Sequence, residues 1–187
     1  MVMKEIALHL LDIVQNSLSA GANLITVAVD IDEAKNLLSV SVNDNGRGMD
    51  EETKMRVVSP FFTSRGTRRV GLGIPFFKEG AEGCGGSFYL NSAPGEGTGI
   101  GASYALDHID RPPLGNMAET MLTLCVCNEN VDFVLRYARG QAEFTFDTRG
   151  IRAALGEGVP FSAPEVMQWL KAYLIEGIEE VNGGRDI

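Results

Sequence analysis

From Glu5 to Ala20 the apolar residues Ile6, Leu10 and Ile13, with Ala7, Leu11, Val14 and Leu18, recur at the spacing of one helical face. Gly21 is a natural terminator for that helix. The period then changes to two. Between Asn23 and Asp32, Ile25, Val27, Val29 and Ile31 alternate with Thr26, Ala28 and Asp30, the pattern of a half-buried strand. A polar turn, Glu33-Ala34-Lys35-Asn36, separates it from a second strand over Leu37–Asn43, so the two form an antiparallel hairpin. Asp50 is placed to cap a short helix running to Val58, with Glu51 and Glu52 in its first turn. Pro60 to Arg69 reads as an exposed basic loop, and a helix from Leu72 to about Cys84 ends at Gly85-Gly86. Strands over Ser87–Ser92 and Ile100–Asp107 flank a turn from Pro94 to Gly99.

Pro112-Pro113 marks a boundary, because proline interrupts regular structure and restricts the residue before it. The expected organisation is therefore a domain over residues 1–109 and an extension over residues 110–187. In the extension, Thr120–Cys127 reads as a buried strand and Phe133–Asp147 as a hairpin turning at Arg139-Gly140. Ser162-x-x-Glu165 has the form of a capping box, opening a helix that runs to about Val181. The extension is rich in Leu, Val, Phe and Tyr, which predicts packed structure. The class is α/β.

Composition narrows the setting. With 187 residues, 44% hydrophobic and 22% charged, the chain has the make-up of a globular protein able to bury a core. It shows no apolar run near the roughly 20 residues of a membrane-spanning helix and no signal-peptide pattern at Met1–Glu5, so a cytoplasmic protein without membrane partners is expected. A net charge of −9 argues against nucleic acid as a partner, since binding it requires displacement of condensed counterions by positive charge. The three cysteines form no secreted framework; Cys125 and Cys127, on the strand expected there, would share a face as structural thiols.

Three stretches carry candidate chemistry. On the first helix His9, Asp12 and Asn16 fall at i, i+3 and i+7, along one face. An amide such as Asn16 suits Mg²⁺, which keeps most of its water while bridging phosphates, and Asp12 could orient or deprotonate an attacking hydroxyl or water. A solvated helix face explains the same pattern. Asp44 follows the second strand, where its carboxylate could accept a hydrogen bond from the exocyclic amine of adenine; Gly46 and Gly48 permit close backbone approach. A simple Asn-Gly turn is the alternative. Gly71-Leu72-Gly73 opens a helix after Arg65, Arg68 and Arg69, so free N–H groups and guanidinium groups could receive phosphate, although a basic surface loop reads the same way. Neither the Walker-type phosphate loop nor the dinucleotide-binding glycine pattern is present.

Taken in order, Leu11-Asp12-Ile13-Val14-Gln15-Asn16-Ser17 through Ala22, Asp44-Asn45-Gly46-Arg47-Gly48-Met49, Pro60-Phe61-Phe62-Thr63-Ser64, Gly71-Leu72-Gly73-Ile74 and Gly95-Glu96-Gly97-Thr98-Gly99 resemble the successive boxes of the GHKL ATPase superfamily. That superfamily groups gyrase, heat-shock chaperone ATPases, histidine kinases and mismatch-repair ATPases. The resemblance spans roughly residues 4 to 107. It implies a two-layer Bergerat-type α/β sandwich, with helices on one face of a mixed, mainly antiparallel sheet and a small C-terminal α/β extension. It also implies ATP and Mg²⁺ as cofactors. By motif position Asn16 would hold the metal, Asp44 would read adenine, Gly46, Gly48 and Met49 would shape the base pocket, Gly71, Leu72 and Gly73 would meet phosphate, and Thr98 would assist near the base. Arg65, Arg68 and Arg69 would belong to a lid.

Two departures bear on activity. Asp12 stands where hydrolysing members carry glutamate, one methylene longer. Only about three residues precede the first helix, so the dimerising hairpin with its phosphoacceptor histidine is not expected in this sequence, and His9 reads as a residue on the pocket rim. The segment Asp107-His108-Ile109-Asp110-Arg111-Pro112-Pro113-Leu114-Gly115 resembles small proteins associated with multi-subunit iron hydrogenases, implying a regulatory or accessory role beside a partner protein of that kind. The alternatives are an anti-sigma-type protein kinase and a non-catalytic interaction module.

Overall fold

The computed structural model describes residues 5–59, 73–156 and 158–185. Along the chain these form α1 (Ile6–Ser19), β1 (Leu24–Asp32), β2 (Leu37–Asp44), α2 (Glu51–Val57), α3 (Gly73–Gly83), β3 (Ser87–Ala93), β4 (Gly97–Ala105), α4 (Met117–Cys127), β5 (Asp132–Arg139), β6 (Ala142–Asp147), α5 (Thr148–Leu155) and α6 (Pro164–Asn182). The six strands make one sheet in the order β3-β4-β2-β1-β5-β6. β1 and β5 run parallel and every other pair is antiparallel, so the sheet is mixed and mainly antiparallel.

The period-two pattern of β1 has a direct physical result. Ile25, Val27, Val29 and Ile31 are buried, as are Leu38, Val40 and Val42 on β2 and Phe133, Leu135 and Tyr137 on β5. Those side chains form one continuous core with Ile6, Leu10, Ile13 and Val14 of α1, Phe77 of α3, Met121 and Leu124 of α4, and Leu170 and Leu174 of α6. Among the alternate positions on the opposite face, Asp30, Asn43 and Arg136 are exposed and Thr26, Ala28, Ser39 and Ser41 half-buried. Helices thus cover one side of the sheet, the two-layer arrangement expected for strands that alternate cleanly. The segment after Asp110 continues this sheet through β5 and β6.

That segment also supports α1. The first N–H groups of any helix have no partner within it, and here Ile6 N–H donates to the Pro113 carbonyl at 3.0 Å and Ala7 N–H to the Leu114 carbonyl at 2.8 Å. The Pro112-Pro113 boundary is therefore a backbone cap for the helix that carries Asp12 and Asn16.

Three expectations need correction. Thr120–Cys127 lies in α4, a helix whose side-chain cap is Asn116, which accepts from Glu119 N–H at 3.0 Å. A short apolar run does not reveal its period when read alone; with Met117 and Ala118 included, Met117, Ala118, Met121, Leu122, Leu124 and Cys125 make a helical buried stripe. Cys125 and Cys127 consequently do not share a face: the first is buried and the second exposed. Burial pushes the Cys125 thiol up to about 12. The Ser162–Glu165 capping box does not form, because α6 starts at Pro164 with Ala163 as its cap, and Ser162 N–H donates to Glu129 Oε1 instead.

The hairpin over Phe133–Asp147 is present as β5 and β6, followed by α5, which the sequence reading did not anticipate. Thr148 joins them. Its fully buried hydroxyl accepts from Phe133 N–H at 2.9 Å and donates to Asp132 Oδ1 at 3.2 Å. Thr148→Val keeps the shape but leaves a buried N–H without a partner, so denaturant unfolding is expected to show a loss of about 1–3 kcal/mol. A midpoint unchanged from the unaltered protein would contradict this role.

Candidate nucleotide site

The site assembles where α1 ends against the C-terminal end of β2. Asp44 is the last residue of β2 and lies directly across from Thr98 on β4. Ser17, on the last turn of α1, donates its hydroxyl to Asp44 Oδ2 at 2.6 Å, and Gly46 N–H donates to Asp44 Oδ1 at 2.8 Å. Each carboxylate oxygen can accept two hydrogen bonds, so each keeps one acceptor position after these contacts. The carboxylate is fixed in orientation and still accepting.

The segment after Asp44 is tied down on three sides. Asn45 Oδ1 accepts from Asn23 N–H and Leu24 N–H, each at 3.0 Å, holding the turn to the start of β1. Arg47 N–H donates to the Ala20 carbonyl at 3.0 Å, and the Arg47 carbonyl accepts from Gly95 N–H at 2.7 Å. Met49 N–H donates to Ser92 Oγ at 2.8 Å. Asn45 is therefore a tether to another strand, which goes beyond the simple Asn-Gly turn. Gly46 is packed so closely that a Cβ would lie 3.0 Å from both Ala20 Cβ and Asp44 Oδ1.

These contacts frame an open cavity of about 1130 Å³. Ile13, Val57, Ile74 and Ile100 give it apolar walls, while Asn16, Ser17, Asp44 and Thr98 supply polar groups. Met49 and Gly48 also line it. An apolar slot with a few convergent polar groups is the form expected of a small-molecule site. Asn16, on α1, is exposed and lines the cavity.

Asp12 and Gly73 meet one turn further back. A Cβ at Gly73 would fall 2.8 Å from Asp12 Oδ2, so only glycine lets the start of α3 come this close to the carboxylate. The remaining predicted residues, Arg65, Arg68, Arg69, Gly71 and Leu72, lie outside the described residues, as does Pro60–Ser64.

His9 does not line the cavity rim. It is buried, its ring centroid 6.0 Å from that of Phe77, and its Nδ1 has no hydrogen-bond partner among the described residues. Burial lowers its pKa below 6.5, opposed by the nearby Asp12 charge. A base whose folded pKa is depressed contributes stability that is fully present above its unfolded value and is lost as pH falls towards the folded one. Stability is therefore expected to decline as pH drops below 6.5, before the ion-paired carboxylates titrate, and His9→Leu should flatten that part of the curve in urea titrations. An identical slope in the variant would exclude His9 as the source.

Sequence reasoning passed over two members of the site, Ser17 and Ser92. Ser17 was legible as the neighbour of Asn16, but its role depends on β2 ending beside α1. Ser92 had no local signal; it acts from a neighbouring strand.

With this geometry in place, comparison with known proteins is direct. Residues 3–107 match the histidine kinase-, DNA gyrase B- and HSP90-like ATPases, and the chain belongs to this family. It is 35% identical over 78 residues to the sensor histidine kinase YvrG of Bacillus subtilis (strain 168), covering 40% of this chain and 13% of that protein. It is 48% identical over 54 residues to the DNA mismatch repair protein MutL of Chlorobium phaeobacteroides (strain BS1), covering 29% of this chain and 8% of that one. Among solved structures, the Aquifex aeolicus MutL ATPase domain complexed with ADP superposes with a TM-score of 0.50 over 73% of this chain and 61% of that chain, at 17% identity. At that identity the likeness is one of fold. Among the described residues no helix is long and apolar enough to cross a membrane.

Proposed function

We propose that this chain binds ATP with Mg²⁺ in the Asp44 cavity and communicates nucleotide occupancy to a partner protein as a regulatory or accessory subunit. The observation that carries the reading is the Asp44 carboxylate, held by Ser17 and Gly46 with acceptor positions to spare. That arrangement suits an exocyclic amine and disfavours a carbonyl oxygen. The apolar walls suit a purine ring, and the MutL structure in complex with ADP has the same fold.

Mg²⁺ fits the donor set in a limited way. Asn16 offers one amide oxygen, appropriate for an ion that takes its remaining ligands from phosphates and water. When bound, the ion would neutralise phosphate charge, which matters in a chain of net charge −9. Asp12, which packs against Gly73 at the start of α3, would orient a water in this reading, and its shorter side chain favours slow turnover over fast hydrolysis.

The partner is supported by the sensor-kinase relationship and by α6, where Trp169 stacks on Tyr173 at 5.2 Å between centroids with both rings partly exposed. Aromatic surface of this kind anchors protein interfaces. The resemblance over Asp107–Gly115 points to a multi-subunit iron hydrogenase as the partner class.

Melting curves test the nucleotide reading. At ATP·Mg²⁺ about a hundredfold above Kd, linkage stabilises the protein by about 2.7 kcal/mol, a rise of roughly 5–10 °C for a chain of this size. Asn16→Ala should retain part of the shift without Mg²⁺ but gain little when Mg²⁺ is added. No shift at millimolar ATP would refute the proposal.

A further inference from the structure

We infer that Ser92, which lies outside the motifs read from the sequence, sets the base specificity of the cavity by dictating which way the Thr98 hydroxyl points its proton. This rests on the adenine reading above. Ser92 lies on β3 opposite Thr98 on β4, and Thr98 is in turn opposite Asp44 on β2, so the three form a row across adjacent strands.

The hydrogen bonds at Ser92 Oγ determine the polarity. Met49 N–H can only donate, and it donates to Ser92 Oγ at 2.8 Å. The Gly97 carbonyl can only accept, and it takes the Ser92 proton at 2.8 Å. A hydroxyl has one proton and two lone pairs. The third contact, Ser92 Oγ to Thr98 Oγ1 at 3.0 Å, must therefore use the remaining lone pair of Ser92, which makes Thr98 the donor. With its proton directed at Ser92, Thr98 presents only lone pairs to the cavity that it lines. Asp44, its own donors being Ser17 and Gly46, likewise presents only lone pairs.

The Asp44–Thr98 corner is thus all acceptor. It favours a base edge bearing an amine, as in adenine, and opposes one bearing a carbonyl oxygen, as in guanine or hypoxanthine. Ser92 acts as a positioning residue, through Thr98. Removing its oxygen frees the Thr98 proton to turn towards the ligand, converting one acceptor into a donor that a carbonyl oxygen can use.

The test is the ratio of ATP to ITP affinity, measured by calorimetry with Mg²⁺ present. ITP carries oxygen in place of the exocyclic amine. The unaltered protein should prefer ATP at least about tenfold, because a carbonyl aimed at unpaired acceptors leaves polar groups unsatisfied. Ser92→Ala should cut the ratio by about fivefold or more, Ser92→Thr should restore it, and Ser92→Ala should have no further effect on the ratio in a Thr98→Val background. If Ser92→Ala does not fold, Ser92→Cys, whose thiol is a weak donor and acceptor, reads the same ratio. A ratio unchanged in Ser92→Ala overturns the inference, and a ratio lowered in Asp44→Asn at the same time shows that the adenine reading stands without it. Equal affinity of the unaltered protein for ATP and ITP overturns it together with the adenine reading.

Discussion

Replacing Asp44 with asparagine is expected to weaken ATP binding by about two orders of magnitude or more, corresponding to roughly 3 kcal/mol, while leaving the fold in place. The substitution is nearly isosteric. Asparagine can still accept Gly46 N–H through its oxygen, and its amide nitrogen can donate to Ser17 Oγ once that hydroxyl rotates. Both local contacts survive in altered polarity, so unfolding midpoints should change by little more than about 1 kcal/mol. What does not survive is the acceptor character facing the cavity. An N–H of the asparagine would confront the N–H of the exocyclic amine, and two donors facing each other cannot pair. Calorimetric titration with ATP·Mg²⁺ checks the first part and urea unfolding the second. An affinity within threefold of the unaltered protein would remove Asp44 from the site.

Gly48→Ala is expected to lower stability by about 3 kcal/mol or more and to abolish nucleotide binding by distorting the cavity that Gly48 lines. Two independent effects combine. Gly48 has φ +68°, a left-handed conformation that costs an L side chain energy. In addition, an added Cβ would overlap the Ala93 carbonyl oxygen and lie 2.8 Å from the Ala93 carbonyl carbon. Ala93 ends β3, and the neighbouring backbone is already committed, since the Arg47 carbonyl accepts from Gly95 N–H and Glu96 N–H donates to the Ala93 carbonyl. Relief would have to come from the turn between β3 and β4, displacing Thr98 from its place opposite Asp44. Gly21→Ala provides the comparison: its φ of +78° is similarly strained, but nothing lies within 4 Å of the added Cβ. Its melting temperature should fall less, and its ATP affinity should persist. Equal losses in the two variants would show that strain alone, without the clash, governs Gly48.

How much of this was legible before folding differs by element. β1 and β2 were plain because one face is buried and the other is mostly half-buried, which writes a period of two into the residues themselves. α1 was plain for the equivalent reason at helical period. α4 was hidden because its visible part, Thr120–Cys127, is apolar on most sides, and only Asn116 and Met117 reveal the cap and the phase. The capping box at Ser162 was a correct local pattern in the wrong competition: Pro164 suits the first helical position, and the Ser162 N–H found Glu129 from a distant segment. His9 was placed on a polar helix face by its spacing from Asp12 and Asn16, yet Phe77 of α3 covers it.

The residues alone determined the family, the order of its motifs and the identity of five groups that line the cavity: Asn16, Asp44, Gly48, Met49 and Thr98. These follow from local chemistry, since spacing along a helix and glycine at tight turns are properties of neighbouring residues. Tertiary structure decided what each group can do. It placed Ser17 on one oxygen of Asp44 and Gly46 N–H on the other, brought Asp12 against Gly73, and lined up Ser92, Thr98 and Asp44 across three strands. The direction of a hydroxyl proton depends on every acceptor and donor within reach, and those come from segments far apart in the chain, which only the packed sheet brings to hydrogen-bonding distance.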